Sequence, residues 1–296
     1  MRDEIRKIQE MMESAEYVTD AQIATSVHLA TRLRKPLLIE GHAGVGKTEI
    51  AKVMARMLGT NLIRLQCYEG LDAATALYEW NYQKQLLHIK LSEGARRGVD
   101  EEEHAIFSEA FLLRRPLLQA ITQETQSPVL LVDEVDRADE EFEAFMLEVF
   151  SEWQVTIPEI GTIKATHPPY VVLTSNRTRE LSDALRRRCL YLWLDYPSFD
   201  KEVRIVQRKV PGVDGRLARE VARFMERLRT VRLTKVPGVA ETLDWAQALV
   251  GLHADHLDET LVGETLGCVL KDADDIKRFR AEVAKAGLAP FIQVTG

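Results

Sequence analysis

The stretch Gly41-His42-Ala43-Gly44-Val45-Gly46-Lys47-Thr48 fits G-x-x-x-x-G-K-[ST], a pattern suited to holding phosphate. Glycines at positions 41, 44 and 46 open backbone conformations closed to other residues, so successive N–H groups can converge on phosphate oxygens. A helix starting near Lys47 would add the positive end of its dipole. In that arrangement Lys47 reaches the β- and γ-phosphates of a triphosphate and the Thr48 hydroxyl is a ligand of Mg²⁺, with Glu49 following in the same contact set. The competing reading is a glycine-rich turn with a chance lysine. The flanks speak against it: Leu37-Leu38-Ile39 is a short apolar run, and the residues after Thr48 have a helical period.

A second cluster is Pro128-Val129-Leu130-Leu131-Val132-Asp133-Glu134. Its apolar residues predict a buried parallel strand with two carboxylates at the carboxyl end, where open α/β sheets put their ligands. Asp133 is expected to hold Mg²⁺, commonly through water, and Glu134 to polarise an attacking water as general base. Alone, an apolar run ending in Asp-Glu is a common strand end; about 85 residues downstream of a phosphate loop it becomes a motif. The run from Tyr170 to Ser175 reads as a neighbouring buried strand. It puts Asn176 in reach of the γ-phosphate or the attacking water, against the plainer reading of a turn asparagine. The third cluster is Arg186-Arg187-Arg188 on a short helix. Consecutive arginines there point in different directions, so all three do not serve one phosphate. One of them, presented to a neighbour's nucleotide, would stabilise transition-state charge; the alternative is a basic helix end that keeps the surface soluble.

The elements that must position these residues are legible in the pattern. Ile5, Ile8 and Met12 mark a short amphipathic helix, and Thr19-Asp20-Ala21-Gln22 has the form of a capping box before a helix that runs to about Leu33. Ile50, Met54, Met57 and Leu58 share a helical stripe closed by Gly59, and a strand follows from Asn61 to Gln66. Between Leu71 and Gly98 the pattern weakens. Tyr78 to Leu87 suggests a hairpin or bent insertion, whose Tyr78, Trp80 and Tyr82 either serve function or pack the insertion on its own domain. Glu101-Glu102-Glu103 reads as a solvated charge run, and Phe107 to Thr122 as a helix burying Phe111, Leu118 and Ile121. Phe142, Phe145, Met146, Val149, Phe150 and Trp153 form a core stripe, followed by a hairpin over 155–165 and a last strand over Leu190 to Leu194. Beyond that strand the pattern is helical: about 199–210, 215–230, 239–252, 258–270 and 275–286.

Composition bounds the function. With 296 residues, 46% hydrophobic and 29% charged, the chain is an ordinary globular protein with room for two domains. A net charge of -7 argues against a protein that coats nucleic acid. Cys67, Cys189 and Cys268 are scattered and odd in number, which suggests neither a disulfide framework nor a zinc site and fits a reducing cytoplasm. No secretory leader and no transmembrane segment is expected from the charged amino terminus and the short apolar runs.

Taken together, Gly41 to Thr48, Val132-Asp133-Glu134, Asn176, the arginine cluster and the helical tail resemble the AAA+ ATPases. Asp133-Glu134-Val135-Asp136-Arg137-Ala138 and Gln154-Val155-Thr156-Ile157 resemble the MoxR family within them. Tyr78-Glu79-Trp80-Asn81-Tyr82 and Ala240-Glu241-Thr242-Leu243-Asp244-Trp245 are similar to the CoxD-type subgroup, associated with maturation of molybdenum-containing carbon monoxide dehydrogenase. The resemblance implies an α/β fold, with a P-loop core whose parallel sheet is flanked by helices and a small C-terminal all-α lid. The expected domains are 1–195, with a helix-2 insert at about 78–105 and a pre-sensor hairpin at about 154–166, and the lid at 196–296. It also implies ATP and Mg²⁺, a homo-oligomer of hexameric type, a von Willebrand factor A domain partner, and a protein client remodelled by a chaperone. By position before the Cys189 strand, Arg188 matches the arginine finger best and Arg187 second. One departure stands out: Gly238-Val239-Ala240-Glu241-Thr242 has no arginine where the family carries its sensor-2 residue, and Lys235 is the nearby candidate. Two rivals remain, a nucleic-acid motor or loader and a nucleotide-gated scaffold with little turnover.

Overall fold

A computed structural model describes residues 2–92 and 104–293, so the Glu101 to Glu103 run and part of the expected insert lie outside the described residues. The chain divides into two compact units: Thr25–Glu40 with Ala51–Leu192, and Met1–Ala24 with Gly41–Ile50 and Trp193–Gly296. Its strands in chain order are β1 (Leu37–Gly41), β2 (Leu62–Gln66), β3 (Tyr78–Trp80), β4 (Leu112–Arg114), β5 (Val129–Asp133), β6 (Gln154–Ile157), β7 (Gly161–Lys164), β8 (Tyr170–Ser175) and β9 (Leu190–Leu194).

The unit built on Thr25–Glu40 and Ala51–Leu192 is organised by a sheet of order β2-β5-β8-β1-β9. β2 runs parallel to β5, β5 to β8, and β8 to β1. Leu37, Leu38, Ile39 and every residue from Val129 to Val132 are buried, as expected of parallel strands covered on both faces. The register sets Gln66 opposite Asp133 and Glu40 opposite Ser175, so polar strand ends emerge along one edge. The helix Glu140–Glu152 packs Phe142, Met146 and Val149 into the core below that edge. It starts where Asp139 accepts a hydrogen bond from the Phe142 N–H at 2.9 Å and stops at Trp153, which takes a left-handed φ of 52°. β6 and β7 form the expected hairpin, with Val155 opposite Ile163 and Gly161 turning at φ 98°.

The unit containing Trp193–Gly296 is helical. Phe224, Trp245, Phe279 and Phe291 meet at its centre, and Trp245 Nε1 donates to Thr265 Oγ1 at 2.8 Å. The helix Gly215–Leu228 supplies Leu217, Val221, Phe224, Met225 and Leu228 from one face, with Asp214 capping its first turn. The first helix, Arg2–Ser14, belongs to this unit and pairs Glu13 with Arg204 at 2.6 Å.

Four local expectations need correction. The cap of Ala21–Leu33 is Asp20, whose Oδ1 accepts from Ile23 N at 3.0 Å, while Thr19 turns back to the Met12 sulfur. Of the two readings of Tyr78 to Leu87 the hairpin fails and the insertion outside the central sheet stands: β3 pairs antiparallel with β4, about thirty residues on, and Asn81 caps a helix over Tyr82–Ser92. Phe107 to Thr122 is no single helix. Pro116 holds Arg115 extended (ψ 171°), so β4 precedes it and a helix Pro116–Ile121 follows, although Phe111, Leu118 and Ile121 are buried as expected. The helix expected over 258–270 is Glu259–Thr265 followed by a tighter turn at Leu266–Cys268.

Candidate active site

The glycine-rich loop leaves β1 at Gly41, where a side chain would place its Cβ 2.1 Å from the Leu194 carbonyl oxygen. Only glycine fits that approach. Gly44 and Gly46 take φ of 73° and 93°, the left-handed conformations the sequence pattern requires. Among the described residues a Cβ on Gly46 would meet nothing within 4 Å, so the loop has space beside it, as a phosphate cradle needs. The Lys47 ammonium is buried and donates to the carbonyl oxygens of Gly41 at 2.8 Å and His42 at 2.6 Å. It therefore lies within the curl of its own loop. Val45 is buried beneath the loop, while His42 and Ala43 are exposed and Thr48 and Glu49 are half-buried on the first turn of Lys47–Leu58.

The helix Val239–Gly251 starts against this loop. Ala240 N donates to Gly44 O at 3.1 Å, and a Cβ on Gly238 would lie 2.6 Å from Ala43 O and 2.8 Å from Gly44 Cα. Glu241 caps the helix by accepting from Gly238 N at 2.8 Å. The His42 ring stacks on Tyr196, with centroids 4.6 Å apart and planes 10° from parallel. Lys235, the suggested sensor-2 stand-in, is exposed and its backbone N–H donates to Asp275 Oδ2 at 2.9 Å.

The carboxylate cluster stands at the ends of β5 and β8. Asp133 is buried; its Oδ1 accepts from Thr174 Oγ1 and its Oδ2 from Arg64 Nη2, each at 2.5 Å. Glu134 has a left-handed backbone (φ 56°, ψ 49°), a costly conformation for a glutamate that persists where surroundings over-determine it. Its N–H donates to Thr174 Oγ1 at 2.9 Å. Its carboxylate accepts from Gln66 Nε2 at 3.1 Å and Arg137 Nη1 at 3.3 Å, and Asn176 Nδ2 lies 3.5 Å from Oε1. Asn176 is held from behind by Asp136, whose Oδ2 accepts from the backbone N–H of Asn176 and Thr178. Glu134, Asn176, Asp136 and Arg179 line a cavity of about 580 Å³.

The three arginines separate as their spacing implies. Arg186 turns inward to Glu40, whereas Arg187 and Arg188 are exposed, the first 3.8 Å from Asp183 and the second donating to Ala184 O at 3.2 Å. Sequence reasoning missed Arg64, Gln66, Thr174, Arg137 and Glu40. The alternation along β2, which puts Arg64 and Gln66 on the face opposite Ile63 and Leu65, was the available signal for two of them.

Among the described residues no group of three or more His, Cys, Asp or Glu side chains could form a metal cage. Thr48 and Asp133 each carry a hard oxygen of the kind that magnesium takes, so the chemistry of each side chain fits that ion. No helix among the described residues is long and apolar enough to cross a membrane.

A parallel sheet that sends a glycine-rich loop with a cradled lysine from one strand and an Asp-Glu pair from another defines the P-loop class. Residues 36–189 match the AAA domain (dynein-related subfamily), and the chain belongs to that family of AAA+ proteins. It is 23% identical over 227 residues to an uncharacterized protein of Staphylococcus epidermidis, covering 75% of this chain and 78% of the relative. An uncharacterized protein of Staphylococcus haemolyticus is 22% identical over 240 residues, covering 79% and 82%. Two mutant forms of RuvB from Thermotoga maritima superpose with TM-scores of 0.51 and 0.50 at 18% identity, each covering 90% of this chain and 74% of that one. That likeness is one of fold.

Proposed function

We propose that this chain is a magnesium-dependent ATPase that remodels a protein client, a chaperone of MoxR type. The observation that carries hydrolysis, as distinct from binding, is the setting of Glu134: a strained residue whose carboxylate is met by Gln66, Arg137 and Asn176 beside an open cavity. Strain of this kind clusters where chemistry is done. In this reading Gly41, His42, Ala43, Gly44, Val45, Gly46 and Glu49 surround the triphosphate, and Lys47 neutralises its β- and γ-oxygens. Thr48 and Asp133 would be the residues to hold a magnesium ion, which would supply charge neutralisation on the phosphates. Glu134 accepts a proton from the water that attacks the γ-phosphorus while ADP leaves, Asn176 orients that water, and Arg188 or Arg187 from an adjoining copy stabilises the charge that develops.

The remodelling role draws on a different feature. In the helix Tyr82–Ser92 the polar Gln85 is buried, while Leu86, Leu87 and Leu91 are 59%, 58% and 77% exposed. A helix with its apolar side chains turned outward offers a surface to another protein. The finer reading is a ring of six copies working with a von Willebrand factor A domain partner in maturation of a molybdenum hydroxylase such as carbon monoxide dehydrogenase. In that reading 1–195 is the large domain and 196–296 the lid. It rests on sequence resemblance.

Glu134→Gln tests the central assignment. It is nearly isosteric, keeps one acceptor oxygen and removes the base, so ATP binding by calorimetry is expected to persist while turnover falls by about 10²-fold or more. Near-normal phosphate release would remove Glu134 from the role. The same variant, tagged and held in ATP, should retain its client and partner on co-purification.

A further inference from the structure

The strand leading into the phosphate loop ends in a buried acid that an apolar strand gives no reason to expect. Glu40 follows Leu37, Leu38 and Ile39 into the interior, with 1% of its surface exposed. Buried carboxylates persist where partners meet them, and Glu40 has three. Tyr191 donates its hydroxyl to Oε2 at 3.0 Å, Arg186 donates from Nη1 to Oε1 at 3.3 Å, and Arg177 Nε lies 3.8 Å from Oε2. They come from three places. Tyr191 is on β9, and Arg186 is on the helix Asp183–Arg188. Arg177 directly follows Asn176 and has a left-handed backbone with φ 58°.

We infer that Glu40 is a positioning residue. It ties the arginine-bearing helix and the Asn176-Arg177 turn to the strand end from which the phosphate loop departs, so that Arg186 is committed inward and Arg187 and Arg188 are aimed outward at a neighbouring copy. The inference rests on the reading of the chain as an ATPase that borrows an arginine. A helix of six residues has little stability of its own, and here it is held by its Ser182 cap, the buried Leu185 and Arg186. Each residue advances the helix by about 100°, so pinning Arg186 fixes the directions of the two arginines after it.

The role predicts complementation between subunits. Glu40→Gln is nearly isosteric and leaves its own phosphate loop intact; it should bind magnesium-ATP within about threefold of the unaltered protein. Its kcat should fall by about tenfold or more, because it offers a misdirected arginine. Lys47→Ala has the opposite defect, a disabled loop and a well-aimed arginine. Mixed in equal amounts, the two impaired variants should recover about one quarter of the normal rate, the share of contacts that pair an intact loop with a correct arginine. The double variant Arg187→Ala with Arg188→Ala, mixed with Lys47→Ala in the same way, calibrates the recovery. Recovery with that double variant but not with Glu40→Gln would place the effect of Glu40 in its own site and overturn the inference while the ATPase reading stands. Full activity of Glu40→Gln alone would overturn it too. If the unaltered protein neither binds nor hydrolyses ATP, the underlying reading falls and this inference falls with it. Arg186→Gln, which leaves the strand untouched, must show the same recovery should Glu40→Gln fail to fold; its failure to recover counts against the inference equally.

Discussion

In each unit of the molecule a glutamate is buried against arginine, Glu40 in one and Glu202 in the other, and these two pairings are built differently. Glu202 is fully buried and Arg229 meets it with both terminal nitrogens, at 2.6 and 2.7 Å. Thr242 donates to the same carboxylate at 2.7 Å, Arg229 Nε donates to Pro237 O at 3.0 Å, and the guanidinium lies 4.7 Å over the Tyr196 ring. Each nitrogen of the guanidinium and each oxygen of the carboxylate has a hydrogen-bond partner. Glu40 in the other unit is as deeply buried, but its arginines approach singly at 3.3 and 3.8 Å and their side chains are 37% and 54% exposed. A bidentate, enclosed fork suits a fixed joint, and single contacts from half-solvated arginines suit one that can yield. The Glu202 pair fixes the turn at Pro237-Gly238 that seats a helix on the phosphate loop; the Glu40 group steers arginines meant for another copy.

The enclosed pair should give the largest effect. Arg229→Met leaves Glu202 charged and unpaired in the interior, and should cost about 3–5 kcal/mol in urea denaturation. Adding Glu202→Gln should recover a large part of that loss, because two neutral groups no longer leave an orphan charge. If the single variant costs under about 1 kcal/mol, the pair is not the fixed joint described.

The next effect tests what the joint is for. Gly238 has an ordinary φ of -90°, so alanine brings no backbone strain, yet its Cβ would press on Ala43 O and Gly44 Cα. Gly238→Ala should cost about 1–3 kcal/mol as an overpacking change and weaken ATP binding, read by calorimetry, by about tenfold. Unchanged affinity would show that the helix start and the loop act independently. Glu40→Gln should cost less, about 1 kcal/mol, because its amide oxygen still accepts from Tyr191 or Arg186.

How much of this was legible in the sequence depends on the range of the interaction. The phosphate loop, Asp133-Glu134 and the buried strands announce themselves because glycine spacing and apolar runs are local consequences of local geometry. The outward and inward arginines were also foreseeable, since consecutive residues on a helix diverge. Gln66 beside Glu134 was not, because it depends on β2 pairing with β5 in one register across some sixty residues. Glu40 and Glu202 were hidden for the same reason: a glutamate in an apolar strand or an amphipathic helix shows nothing of the arginine that will meet it. The pairing of β3 with β4 was lost to a helical reading because apolar spacing alone outweighed the extended preference that Pro116 imposes on Arg115.

The smallest effect is chemical, and it separates the yielding joint from its surroundings. Cys67 and Cys189 both have thiols pushed up to about 12, Cys67 by burial and then by the carboxylates of Asp133, Asp136 and Glu134, Cys189 by burial alone. An ordinary thiol ionises near pH 8.5, so at pH 8 to 9 both should react with iodoacetamide far more slowly in the folded protein than in the unfolded chain. The sign follows for stability. The unfolded chain gains thiolate from about pH 8.5 while the folded one does not, so the stability these thiols allow is intact below that pH and is lost as pH rises toward 12. Cys189 directly follows Arg188, and its N–H donates to Arg186 O at 3.2 Å, whereas Cys67 is held by the Asp133 carbonyl at 2.9 Å. Glu40→Gln should therefore raise the alkylation rate of Cys189 and leave that of Cys67 unchanged. Equal acceleration of both would mean that the carboxylate supports the whole sheet rather than the arginine helix in particular.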